Sequence, residues 1–372
     1  MGRKKQKILK LGEFFSGPGG LALGAIKSSS LSNEILLKIQ SEWANDFDED
    51  SCKTYALNIE GSMDSENIIC SDVSKVDVAK LRPIDIFAYG FPCNDFSVVG
   101  ERLGFNGKFG PLYSYGIKVI NHHKPSVFVA ENVGGINSAN QGKAFEKILH
   151  DLENSGNGYN LTVHLYKSQD YGVPQTRHRY VIVGIDKKLN KVFNVPAPTH
   201  AGNPVTAKEA LSDIPDEAFN HELPSMSEVV RERLMHIKPG ENVWTADLPE
   251  HLKLNVKSAK LSQIYKRLHP DKPSYTITGS GGGGTHGYHH IEPRPLTNRE
   301  RARIQTFPDE FKFIGNYSSV RKQIGMAVPV KLSQIIFTAI LDTLNGRSYP
   351  SIKANYVLKS PTSKRLRQVA LI

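Results

Sequence analysis

Cysteine is scarce: Cys52, Cys70 and Cys93 are the three thiols among 372 residues. The number is odd and no two form a C-x-x-C pair, which argues against a disulfide framework or a zinc knuckle and for a reducing setting. Uninterrupted apolar runs of about 18 residues are also missing, so no transmembrane helix and no membrane partner is expected. The opening "MGRKKQKILKLGEFF" is basic but has neither an apolar signal core nor a small-residue cleavage site; a cytoplasmic location is the expectation. No internal repeat appears. What the chain does have is positive charge, 47 Lys and Arg against 37 Asp and Glu, a net +10. Such an excess speeds encounters with phosphate backbones, although charge alone fits a merely basic soluble protein equally well.

The first half alternates short apolar runs with helical patterns. "ILKLGEFF", "EILLKIQSEW", "IDIFAYGF", "SVFVAENV" and "YVIVGI" read as buried strands. "KAFEKILHDLENSG" reads as a helix, with Ala144, Phe145, Ile148, Leu149 and Leu152 on one face and Gly156 at its end. This alternation predicts an α/β fold with a doubly wound, mostly parallel sheet. From about residue 190 to 290 prolines and the glycine-rich "TGSGGGGTHGYHH" predict a second, smaller and irregular domain. Helical order then returns. "LTNRERARIQTF" starts on a capping box, Thr297 with Glu300. "VPVKLSQIIFTAILDTLNG" has Pro329 near its first turn, Gly346 past its end, and Leu332, Ile335, Ile336 and Ala339 on a face suited to a sheet. "SPTSKRLRQVALI" reads as a basic tail.

The loop "EFFSGPGGLALGAI" follows the first strand and opens a helix, with Gly17, Gly19 and Ala22 in a G-x-G-x-x-A pattern. Glycines let a backbone turn sharply and approach a ligand, and a carboxylate after the second strand, here Glu42, can bind ribose hydroxyls. No Lys-Ser/Thr follows, so this is not a P-loop. The pattern fits a nucleoside-containing cofactor, nicotinamide dinucleotide and S-adenosylmethionine alike. Trp43 is either a buried core ring or a surface for adenine. Asp72 is either a turn residue or an acceptor for the adenine amine.

Cys93, in "AYGFPCNDFSVVGE", sits just beyond a strand end, where open α/β sheets gather ligands and catalytic groups. Pro92 keeps the residue before it extended and the thiol on a loop. On its own the cysteine is a packing residue or a nucleophile. Glu131 and Asn132 arrive at the next strand end, and "QTRHR" sets Arg177 and Arg179 at alternate positions before a further strand. A thiol, a carboxyl and paired guanidiniums in one cleft form a coherent chemical set.

At these residues the chain resembles the DNA (cytosine-5) methyltransferases. "FFSGPGG", "SEW", "SDV", "GFPCNDFSVVG", "GPLY", "ENV", "QTRHR", "RPLTNRERARIQTFPD" and "QIGMAVP" match family motifs in the family's order. Three positions depart: Asn94 stands for the usual Gln, Met326 for Asn, and Glu13 for Asp. The resemblance implies S-adenosylmethionine as methyl donor without a metal. It implies a Rossmann-like catalytic domain over residues 1–188 and 322–372, and a target-recognition domain with its hinge over 189–321. Cofactor contacts would come from Phe15, Gly17, Gly19, Gly20, Leu21, Glu42, Trp43, Asp72, Val73, Gly90, Leu112, Met326, Ala327 and Val328.

It further implies that Cys93 adds to C6 of cytosine, making C5 nucleophilic enough to take a methyl group. Glu131 would contact N3 and the exocyclic amine, Arg179 the O2 edge, and Arg177 would support the closed geometry. Pro92, Asn94, Ser97, Asn132 and Gln175 complete the target-base pocket and loop. The base must leave the duplex to be reached. Double-stranded DNA is the implied partner of a monomer paired functionally with a restriction endonuclease. For the glycine run, approach to DNA and a plain connection both stay open. His286, His289 and His290 lack further ligands for a metal. Arg299, Arg301 and Arg303 are expected to touch phosphate or solvate a helix, in mixed roles. An oxidoreductase reading gains from the glycine pattern but leaves Cys93, Glu131 and the arginine pair without a task. A silent DNA-binding relative would have lost Cys93 or Glu131.

Overall fold

The strands are apolar on both faces, so helices must cover both. In the computed structural model, which describes residues 5–32, 35–91, 112–135, 142–255, 261–279 and 284–357, they do. The first part of the chain runs β1 (Lys5–Phe14), α1 (Gly20–Ile26), β2 (Ser29–Ser32), β3 (Ile35–Asp46), α2 (Glu49–Tyr55), β4 (Ile68–Cys70) and β5 (Ile86–Gly90). It continues through α3 (Tyr113–His123), β6 (Val127–Val133), α4 (Lys143–Glu153), β7 (Tyr159–Lys167), β8 (Gln175–Thr176) and β9 (His178–Asp186).

An eight-stranded sheet has the order β2-β3-β1-β5-β6-β9-β7, with β4 beside the second half of β3. Strands β4, β3, β1, β5 and β6 are parallel, while β9 runs antiparallel between β6 and β7. Alternate residues serve opposite faces. Ile86, Ala88, Val127, Val129, Val181 and Val183 face a core shared with α1 and the C-terminal helix. Phe87, Tyr89, Phe128, Ala130, Tyr180 and Ile182 face a core shared with α3 and α4. Helix α4 buries all five of its expected apolar residues, though its cap is Asn154; Gly156, at φ 54°, turns the chain two residues later.

Between the sheet and the C-terminal helices lie β10 (Val195–Pro196), α5 (Ala207–Leu211), α6 (Glu228–Met235) and β11 (Ser274–Tyr275). Short elements here surround two small cores, one built on Leu234, Ile237, Leu252 and Tyr288, the other on Ala207, Leu268, Ile277 and Ile304. Arg267 ties the first together by donating to the carbonyls of Leu234, Ile237, His289, His290 and Ile291. The chain then forms α7 (Asn298–Ile304), α8 (Tyr317–Met326), α9 (Val330–Leu344) and β12 (Ser351–Ile352). The Thr297–Glu300 capping box is present at α7. Pro329 is the N-cap of α9, and Leu332, Ile336 and Ala339 are buried. Within Tyr317–Leu344 an 18-residue stretch is apolar enough to cross a membrane, yet 72% of that stretch is buried within the fold.

Arg299 and Arg301 correct an expectation. Neither is solvated nor free for phosphate: both are essentially buried. Arg299 donates to the carbonyls of Phe219, Pro308 and Phe311, and Arg301 to that of His286. Arg303 pairs with Asp309 at 2.5 Å. Carbonyls accepting from Nε and both Nη atoms offset the cost of burying Arg299, whereas Arg301 Nε is buried without a partner among the described residues.

Candidate active site

The glycine loop leaves β1 through left-handed backbone at Phe15 (φ 55°), Gly17 (φ 51°) and Gly19 (φ 96°) before α1 begins at Gly20. A Cβ on Gly20 would lie 2.4 Å from the carbonyl oxygen of Val328, so the "AVP" segment docks directly on the loop. Around Gly17 a Cβ would meet nothing within 4 Å, which leaves open space over the loop. Leu21 is buried beneath it.

Strand β3 runs three residues beyond the expected end at Trp43, to Asp46. Glu42 pairs with Lys10 at 3.4 Å and Arg82 at 3.0 Å. Trp43 packs against Phe14 and Phe87, and lies so close to Gly12 that a Cβ there would fall 2.4 Å from its ring. Its indole N–H donates to the Arg82 carbonyl at 2.9 Å. The carboxylate at the strand end is instead Asp46, whose Oδ2 accepts the Gly17 N–H at 2.8 Å and whose Oδ1 accepts the Asp48 N–H at 3.0 Å. Burial raises the Asp46 carboxyl, opposed by these backbone donors. Phe47 follows it, 68% exposed. Sequence reading missed this pair; the available signal was Asp48, which caps α2 through the Ser51 N–H and so marks where the strand must end.

Asp72 caps a single 3-10 turn by accepting the Ser74 N–H at 2.8 Å, with Val73 buried below. The Ser71 N–H donates to the Asp46 carbonyl at 2.9 Å, so Asp72 stands close to Asp46 along the chain ends. Leu112 precedes α3 and packs on the aromatic core.

Across the sheet, Gly90 at the end of β5 pairs in register with Glu131 on β6. A Cβ on Gly90 would come within 3.2 Å of Glu131 Oε2, so the glycine makes room for the carboxylate. Arg179 Nε lies 2.7 Å from Glu131 Oε1, with both side chains nearly buried. Burial raises the Glu131 carboxyl; the charges of Arg179 and Arg177 oppose that rise. Asn132 donates to the Phe91 carbonyl at 3.0 Å and accepts the Val133 N–H at 2.8 Å, fixing the exit from β5. Pro92, Cys93, Asn94 and Ser97 follow that exit and lie outside the described residues.

Arg177 and Gln175 are buried in a junction, where the Arg177 charge still acts on Glu131 and Arg179. Arg177 donates to the carbonyls of Ile277, Gly325 and Ala327 at 3.1, 3.1 and 3.2 Å. Gln175 accepts the Ile277 N–H and donates to Gln305, while β8 pairs with β11. These bonds join the strand that carries Arg179 to the irregular region and to the end of α8. Met326, at that end, is 63% exposed, whereas Ala327 and Val328 are buried. His286 contacts Arg321 at 2.9 Å and His289 accepts two backbone N–H groups. Among the described residues no three His, Cys, Asp or Glu side chains are grouped for a metal.

The family model described as C-5 cytosine-specific DNA methylase matches residues 9–342. Type II methyltransferase M.BbvI of Brevibacillus brevis is 53% identical over 362 residues, 95% of this chain and 96% of that protein. Type II methyltransferase M.NgoFVII of Neisseria gonorrhoeae is 41% identical over 334 residues, 87% and 83% of the two chains. In fold, the chain is similar to the solved structure of a candidate DNA modification methyltransferase encoded within an E. coli prophage. The TM-score is 0.69 at 23% identity, over 91% of this chain and 99% of that one.

Proposed function

The chain belongs to the C-5 cytosine-specific DNA methylase family, and from that premise we propose how it works. It transfers the methyl group of S-adenosylmethionine to C5 of a cytosine flipped out of a short, specific sequence in double-stranded DNA, through a covalent bond from Cys93 to C6. The observation that carries the reading is the Glu131–Arg179 pair, 2.7 Å apart, facing the strand end that leads into Cys93.

The residues present fit the methyl donor. The open space over Gly17, the carboxylates Asp46 and Asp72, and the exposed Phe47 ring make a cradle with acceptors for ribose hydroxyls and an adenine amine. Phe15, Gly19, Gly20, Leu21, Val73, Gly90 and Leu112 shape its walls, and Met326, Ala327 and Val328 close it from α8. We assign to Asp46 and Phe47 the roles first expected of Glu42 and Trp43, which lie farther down the strand. S-adenosylmethionine bound there supplies an electrophilic methyl on a sulfonium.

The chain's own groups do the rest. The Cys93 sulfur adds to C6, and Glu131, whose carboxyl burial pushes up, holds a proton toward N3 as electrons move into the ring. Arg179 takes the O2 edge and keeps Glu131 in place. Arg177 and Gln175 position the strand bearing Arg179. Loss of the C5 proton and departure of the cysteine return the enzyme.

Residues 1–188 and 322–372 form the catalytic unit in this reading, and 189–321 the target-recognition unit and hinge, with Phe307, Phe311, Phe313 and Val320 packed against Leu23 of α1 at the junction. The names of the relatives as type II methyltransferases support a modification enzyme paired with a restriction endonuclease. It acts as a monomer on one flipped base, in the cytoplasm, and needs no metal. The test is transfer from labelled S-adenosylmethionine into unmethylated DNA, followed by hydrolysis to nucleosides. Label in 5-methylcytosine is expected; label in an N-methyl base would keep the cofactor and discard the covalent route.

A further inference from the structure

Two thiols outside the reaction meet at the end of β3. Cys52 lies in α2 and is buried, Cys70 ends β4 and is exposed, and both are free. Both adjoin Asp46: the Cys52 Sγ donates to its carbonyl oxygen at 3.4 Å, and Cys70 is its register partner across the sheet. Both thus flank the end of β3 at Asp46, and Cys70 stands near enough to help raise the Cys52 thiol. Asn45 clamps the strand below by donating to the carbonyls of Ile69 and Ser71 at 2.7 and 2.8 Å, so the ends of β3 and β4 move as one.

We propose that Cys52 and Cys70 form a reversible dithiol–disulfide modification site, oxidised by a hydroperoxide, and that closing it weakens S-adenosylmethionine binding. The second half rests on the assignment of Asp46 and Phe47 to the cofactor.

The exposed Cys70 thiol is attacked first: its sulfur takes one peroxide oxygen, giving a sulfenic acid and releasing the alcohol or water. The Cys52 sulfur then displaces that oxygen as water, each thiol having given up one hydrogen. Burial raises the Cys52 thiol, which disfavours it as the first site of attack, and its proton leaves with the displaced oxygen as water. A dithiol reductant reverses the bond by exchange. Closing the sulfurs to the bonded distance of about 2.05 Å draws α2 and the β4 end together. Asp46, whose carbonyl accepts from the Cys52 thiol and the Ser71 N–H, and Phe47 beyond it are displaced with them.

The full-length protein is treated with hydrogen peroxide, alkylated, digested and analysed by mass spectrometry. S-adenosylmethionine affinity is measured by calorimetry before oxidation, after it, and after dithiothreitol. A Cys52–Cys70 cross-linked peptide is expected, with affinity lowered roughly three- to tenfold, the scale of one disturbed hydrogen bond, and restored by reductant. Cys70→Ser should bind cofactor normally and resist the change, which separates this pair from oxidation of Cys93. Absence of the cross-link, or a cross-link with unchanged affinity, overturns the proposal. Failure of the reduced protein to bind S-adenosylmethionine at all would instead overturn the cofactor assignment, while the cross-link remains a separate readout.

Discussion

Gly24→Ala sets helix propensity against packing, and the two predict opposite signs. Gly24 lies within α1, where alanine is intrinsically favoured by about 1 kcal/mol. Its new Cβ would fall 2.4 Å from the Cβ of Ser333 and 2.6 Å from the Gln334 nitrogen on α9. Carbon atoms prefer about 3.5–4.0 Å, so the overlap exceeds about 1 Å. Ser333 is fully buried and donates to the Leu21 carbonyl at 2.7 Å, so it cannot turn aside without losing that bond. Overpacking of this kind costs about 1–3 kcal/mol, and the lost bond about 1 more. Less the propensity gain, the variant should be destabilised by about 1–3 kcal/mol. Urea unfolding followed by circular dichroism should show a midpoint lower by about 0.5–1.5 M at a slope of about 2 kcal/mol/M. Adding Ser333→Gly should recover more than half of the loss. A midpoint equal to or above that of the unmutated protein would refute the claim that α1 and α9 are in contact at this glycine.

Other outcomes test the site and its electrostatics. Phe47→Ala should leave stability within about 0.5 kcal/mol because the ring is exposed, yet weaken S-adenosylmethionine by about tenfold if it stacks on adenine; unchanged affinity in calorimetry would return Phe47 to a surface residue. DNA affinity should fall about 10³–10⁵-fold between 50 and 200 mM salt for six to ten phosphate contacts, and a flat profile in fluorescence anisotropy would remove the DNA cleft. Glu13 is buried with its carboxyl raised well above the usual value by desolvation. Its contribution to stability is therefore present below the unfolded value near 4.5 and is lost as pH rises through the folded one. Relative to Glu13→Gln, the unmutated protein should lose stability between pH 5 and 8, whereas parallel denaturation curves would contradict a proton on Glu13.

The central strands were legible because burial on both faces writes continuous apolar runs, as in "IDIFAYGF" and "SVFVAENV". Edge strands were not. β2 is a serine-rich quartet with one side free, and β4 has three residues; β7, "YNLTVHLYK", carries polar residues on an outer strand. The Thr297 capping box was legible because it closes within one turn. Arg299 and Arg301 were not, because the carbonyls that accept from them come from residues 219, 286, 308 and 311 and only meet after folding. The same holds for Arg177, whose acceptors lie 100 to 150 residues away. At the cofactor end, the polar run "WAND" reads like a strand terminus, yet Asn45 and Asp46 remain in the sheet because their side chains bond β4 and the glycine loop. That is how Glu42 was expected where Asp46 stands.

The most direct test of the covalent route uses long duplex DNA of varied sequence in which cytosine is replaced by 5-fluorocytosine. Fluorine occupies the position from which a proton must leave after methyl transfer, so the Cys93 adduct cannot resolve. With S-adenosylmethionine, the unmutated protein should yield a protein–DNA band that survives denaturing electrophoresis, and Cys93→Ala should bind the same DNA without forming it. Methyl incorporation into ordinary DNA with no such band, or a band that persists in Cys93→Ala, would contradict the account.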